Sequence, residues 1–167
     1  MPARRRIDQV LDPQFLEGVE ELDLDEIRSR RQLAGEVENE LSYYRRLLHG
    51  RMDLIRFEQR RRSGEETRSV IEALPQILAD PDSDRAHRPG RYEVPELPQL
   101  PDVGKRDIDF ILGDDVLIRL GELDTEALDE ALDSIEELEQ DISDNRRKVQ
   151  EVEDKLVEVL ATRYRAG

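Results

Sequence analysis

Five polar side chains recur twice in nearly the same order. Glu139, Ser143, Arg146, Gln150 and Asp154 stand at offsets 0, 4, 7, 11 and 15, and Glu38, Ser42, Arg45, His49 and Asp53 repeat those offsets with His in place of Gln. At about 100° per residue, such a set falls within roughly 80° of arc on a helix, a single stripe about 22 Å long. The residue types have a shared chemistry. An arginine fork matches guanine O6 and N7, and an aspartate accepts from guanine N1–H and the exocyclic amine. Serine donates to a phosphate oxygen, and Gln, His and Glu link ligand to neighbouring side chains. On residue chemistry alone the pair of stripes suits a two-fold-symmetric guanine nucleotide or a peptide. One such stripe is ordinarily an ion-paired, solvated helix face; the near-repeat lifts these above that reading.

The elements that carry the stripes are legible from periodicity. Ala34, Val37, Leu41, Tyr44, Leu48, Met52 and Ile55 recur at steps of three and four, a coiled-coil seam with one slip. Leu128, Ala131, Ile135, Leu138, Ile142, Asn145, Val149, Val152, Leu156 and Val159 alternate three and four without a break, with Asn145 as the polar position that often fixes register. Glu38, Ser42, His49 and Asp53 each follow a seam residue by one, as do Glu139, Ser143, Arg146 and Gln150, so the stripes flank the interface. Asp23 and Glu26, with Leu22 and Ile27 as a staple, mark one helix start; Asp124, with Leu123 and Leu128, marks the other.

The expected fold is all-α: a long intramolecular antiparallel coiled coil of two helices with a short connecting helix and a Pro-rich loop. The expected boundaries are a flexible lead over 1–22 and a single helical domain over 23–167. Within it, helices span 24–62, 64–79 and 124–164, and a loop spans 80–123. Ser63 and Glu66 would start the short helix, carrying Val70, Ile71, Leu74, Ile77 and Leu78, with Pro75 kinking or ending it. Five of eight prolines lie in 80–103, and the apolar stretch 108–120 is broken by Gly113. Residues 24–62 carry a charge of +3 and residues 122–160 a charge of −11, so each helix prefers the other to itself. An alignment that sets Arg45 level with Arg146 would place the stripes opposite each other about a local two-fold axis.

Composition removes several classes of function. The 167 residues include 26 Lys and Arg against 41 Asp and Glu, a net charge of −15, which argues against general binding to DNA or RNA. With no cysteine and two isolated histidines, thiol, zinc–thiolate and triad chemistry have no residues to use. No apolar run reaches the ~18 residues of a membrane span, and no apolar segment follows Arg4–Arg6 to make a secretory signal. A cytoplasmic, non-enzymatic protein without metal is expected. For His87 a plain loop residue is the expected reading.

The twin pattern E-x3-S-x2-R-x3-[QH]-x3-D on two helices resembles the RsiG family, cyclic di-GMP-responsive anti-sigma factors of spore-forming actinomycetes. The resemblance covers the two long helices. It implies that Glu38, Ser42, Arg45, His49 and Asp53, with Glu139, Ser143, Arg146, Gln150 and Asp154, hold cyclic di-GMP as a stacked pair of molecules. It implies a WhiG-type sigma factor as partner, held from RNA polymerase while nucleotide is bound, so that falling nucleotide permits sporulation genes. Two different motifs in one chain imply a monomer that forms a heterodimer with sigma. The acid-rich outer face of 122–160, including Glu130, Asp133 and Glu137, is then expected to cover a basic sigma surface. Two alternatives stay open: a structural coiled-coil adaptor without ligand, and a cyclic di-GMP receptor whose partner is not a sigma factor.

Overall fold

The computed structural model describes residues 6–79 and 119–166. Among the described residues every regular element is helical: α1 (Arg6–Val10), a short 3-10 turn (Pro13–Phe15), α2 (Leu24–Ser63), α3 (Val70–Ile77) and α4 (Thr125–Ala166). The two long helices, α2 and α4, pack against each other as in an intramolecular coiled coil. Arg4, Arg5, the Pro-rich loop 80–103, His87 and the apolar stretch from 108 to 118 lie outside the described residues.

Local chemistry sets the helix ends. The Asp23 carboxylate accepts from the Glu26 backbone N–H at 2.8 Å, and Asp124 accepts from Ala127 N–H at 2.8 Å. Each satisfies a donor that the first turn leaves without an intrahelical partner. At the other end of α2, Gly64 adopts a φ of 83°. Gly64 N–H then reaches Arg61 O at 3.3 Å and Glu65 N–H reaches Arg60 O at 3.0 Å, the Schellman pattern that glycine permits. Arg60, Arg61 and Arg62 occupy the last turn, where cations offset the helix dipole.

The connecting helix is shorter than its expected span of 64–79. Ser63 belongs to the end of α2, and its hydroxyl donates to Arg60 O at 3.0 Å, so it does not cap a following helix. The capping box forms six residues later. Ser69 Oγ accepts from Glu72 N–H at 3.2 Å, while the Glu72 carboxylate accepts from Ser69 N–H at 2.8 Å. Pro75 lies inside α3, which runs on to Ile77.

The described chain divides into two compact units, Met1–Arg45 with Gln140–Gly167, and Arg46–Glu139. A residue on a long helix meets only its own neighbouring turns and the facing helix, so packing is local along such a pair.

In the first unit, the lead expected to be flexible over 1–22 is packed from Arg6 onward. Val10, Phe15 and Val19 are buried in one cluster with Ile27, Ala34 and Val37 of α2 and Val149, Leu156, Val159 and Leu160 of α4. Polar contacts fix the lead's path. Arg6 pairs with Glu36 and Glu40, Arg30 donates to Phe15 O at 2.5 Å, and Arg163 donates to Glu20 O at 2.8 Å. The physical reason is that α2 and α4 present apolar surface beyond their narrow seam, and the spacing of Val10, Phe15 and Val19 covers it. In the second unit the core holds Leu48, Met52, Leu54, Ile55, Phe57, Ala73, Leu120, Leu128, Ile135 and Leu138. The seam is therefore wider here than the sequence repeat implied, because α3 and Leu120 add a third contributor. Glu58 is only 2% exposed, and its carboxylate accepts from Arg61 and Arg62 at 2.8 Å. Arg61, then Arg62, hold that carboxyl below the usual range against the opposing effect of burial.

Candidate functional site

All ten stripe residues are among the described ones. Eight are half-buried at the edge of the helix pair, and the terminal rungs Asp53 and Asp154 are exposed. That grading follows from the seam. A residue one step past an interfacial position is partly covered by the facing helix.

In the first unit the two stripes bond to one another. Arg146 Nε donates to Glu38 Oε1 at 2.8 Å and to Ser42 Oγ at 2.7 Å. Gln150 Nε2 donates to the same Glu38 oxygen at 3.2 Å, and Ser42 Oγ donates to it at 2.9 Å. One carboxylate oxygen thus gathers a guanidinium, an amide and a hydroxyl. In the second unit His49 Nε2 and Glu139 Oε1 stand 3.0 Å apart. There Asp53 lies 3.9 Å from Arg56, which donates to Glu136 at 2.7 Å, and Gln59 donates to Asp129 at 2.6 Å.

These contacts fix the register and correct the expected one. Ser42, not Arg45, is level with Arg146, and the same alignment sets Glu38 against Gln150 and, in the second unit, His49 against Glu139. Carried along the helices of the first unit, it sets Arg45 level with Ser143. The reason is electrostatic. Arg45 level with Arg146 would oppose two guanidiniums at a half-buried edge, whereas a three-residue shift matches Arg146 and Gln150 to acceptors and brings His49 to Glu139. The pattern therefore pairs Glu with Gln or His, and Ser with Arg. That complementarity was readable from the residue types, had donors been matched with acceptors and not like with like.

Other polar contacts were not anticipated. The Glu58–Arg61–Arg62 cluster has the i+3 and i+4 spacing of intrahelical ion pairs and was available as a signal. Arg62 also donates to Leu120 O at 3.1 Å, which no local spacing announces. Arg68 donates to Glu66 at 2.7 Å and to Gln76 Oε1 at 2.8 Å, tying the turn after α2 to α3. Among the described residues no group of His, Asp and Glu is arranged to hold a metal ion, and no helix is long and apolar enough to cross a membrane.

Fold and site together define a helical coiled-coil protein with a paired polar flank. The model of the RsiG-like family matches residues 13–78, which takes in the last ten residues of the lead, α2 and α3. No curated protein matches the chain.

Proposed function

We propose that this protein is an anti-sigma factor that binds cyclic di-GMP through Glu38, Ser42, Arg45, His49, Asp53, Glu139, Ser143, Arg146, Gln150 and Asp154. In the loaded form it sequesters a WhiG-type sigma factor from RNA polymerase and so controls sporulation. The observation that carries this reading is the complementary bonding of the two stripes. Arg146 is held by Glu38 and Ser42, and His49 meets Glu139, at the edge of the helix pair. A carboxylate already in place on Arg146 orients its fork before a ligand arrives, and a phosphate or guanine edge offers the same fork an equivalent acceptor.

The charge balance supports the partner as well. A protein of net charge −15 repels a polyanionic nucleotide except where arginines gather. A basic sigma surface brought to the acidic face of α4 relieves that repulsion, so ligand and partner strengthen each other's binding. Glu130, Asp133 and Glu137 are exposed on α4 and available for that contact.

The test is capture of purified WhiG-type sigma factor by this protein with and without cyclic di-GMP. Capture that depends on nucleotide, and that weakens at least tenfold when Glu130, Asp133 and Glu137 become alanine, is the expected result. Nucleotide binding without any capture of sigma would leave a receptor with a different partner.

A further inference from the structure

One rung of the stripes opens into a cavity that the twin motif does not describe. Asp53, Phe57 and Arg60 follow one another on α2 at offsets 0, 4 and 7, on one face. The Gly64 turn brings α3 back beside that face, so that Gln76 and Ile77, together with Arg68, complete a cavity of about 250 Å³. That is below the ~300–1,000 Å³ of pockets for drug-sized molecules, and suits one ring system and not a whole dinucleotide.

The lining divides by chemistry. Phe57 is only 1% exposed and gives, with Ile77, an apolar wall. Asp53 is an acceptor, and at 3.9 Å from the Arg56 guanidinium it is too far for a hydrogen bond there. Gln76 has its orientation set. Its Oε1 accepts from Arg68 Nη1 at 2.8 Å, which leaves its NH2 group as a donor. Arg68 is itself fixed by two bonds to Glu66, at 3.0 and 2.7 Å, so its charge is already compensated and it acts as a positioning residue. Arg60 adds a second donor group to the lining.

A flat ring with two donors on one edge and two acceptors on another fits this set. Guanine presents N1–H and its exocyclic amine as donors, and O6 and N7 as acceptors. Adenine presents an acceptor at N1, which the Asp53 carboxylate repels. We propose that this cavity is a guanine-selective subsite of the nucleotide site: Asp53 accepts from N1–H and the amine, Gln76 and Arg60 donate to O6 and N7, and Phe57 and Ile77 wall the ring. The proposal rests on the cyclic di-GMP reading and adds to it the source of base selectivity, in residues outside the motif.

The experiment is calorimetric titration of cyclic di-GMP and cyclic di-AMP into the full chain, its Arg60→Ala/Gln76→Ala variant and its Arg146→Ala variant. A parallel NMR titration follows the Gln76 side-chain amide in the wild type. The wild type is expected to prefer cyclic di-GMP, and its Gln76 amide signals shift on saturation. The Arg60→Ala/Gln76→Ala variant loses about 10–100-fold in cyclic di-GMP affinity, the scale of one good base-edge pair, and most of its preference over cyclic di-AMP. Circular dichroism confirms that its helices are retained. Wild-type affinity and preference in that variant, with Arg146→Ala weakened, overturn the subsite and leave the stripe reading standing. No binding of cyclic di-GMP by the wild type, either alone or with the WhiG-type sigma factor present, overturns both.

Discussion

Removing the Glu38 carboxylate tests whether the bonded stripes contribute to the stability of the helix pair. Glu38 Oε1 accepts from Arg146, Ser42 and Gln150 at 2.8, 2.9 and 3.2 Å. The side chains of Glu38 and Arg146 are 17% and 30% exposed. A net hydrogen bond to a charged group contributes about 1.5–3 kcal/mol and a neutral one about 0.5–1.5 kcal/mol, and partial exposure places this set at the low end. Glu38→Ala is therefore expected to cost about 2 kcal/mol, after a gain of a few tenths from alanine's helix propensity. For a chain of this size that is a fall in Tm of roughly 4–8 °C. The assay is urea and thermal unfolding of Glu38→Ala, Arg146→Ala and the double variant without nucleotide. A coupling of about 1–2 kcal/mol in the cycle is expected. Additivity within ~0.3–0.5 kcal/mol, the behaviour of independent sites, would refute the account of the stripes as one bonded set.

Glu58 gives a pH test. Its folded-state pKa is depressed by Arg61 and Arg62, so its contribution is present above the unfolded value near 4.5 and is lost as pH falls through the lower folded value. Urea midpoints of Glu58→Gln are expected to fall less than those of the wild type as pH drops below about 4.5, and an unchanged acid slope would count against the pairing. The packed lead gives a third prediction. Phe15→Ala removes a buried ring from the first unit's core, and about 3 kcal/mol of destabilisation is expected by urea unfolding. Unchanged stability would mean that the lead does not contribute to that core.

Long-range periodicity made α2 and α4 legible. Ala34, Val37, Leu48, Ile135, Val149 and Leu156 fall on the expected seams and are buried. The caps at Asp23 and Asp124 were equally readable, because one side chain and one backbone donor three residues on decide each. What was not legible depended on distant partners. Val10, Phe15 and Val19 carry no helical repeat of their own and are ordered by surface that α2 and α4 leave uncovered. The start of α3 was misplaced because Ser63 and Ser69 both precede a glutamate by three, and only the Gly64 turn decides between them. The stripes were visible as lists of residues, but their register was not, since identity along each helix says less than donor–acceptor matching across the pair.

If the stripes hold cyclic di-GMP, a sigma factor bound to the acidic face of α4 tightens the hold. The most direct measurement is isothermal titration of cyclic di-GMP into the wild type and an Arg45→Ala/Arg146→Ala variant, first without and then with the WhiG-type sigma factor. The account predicts wild-type binding that the double variant loses, and tighter binding when sigma is present. Absence of binding under both conditions would contradict it and leave an acidic coiled-coil adaptor.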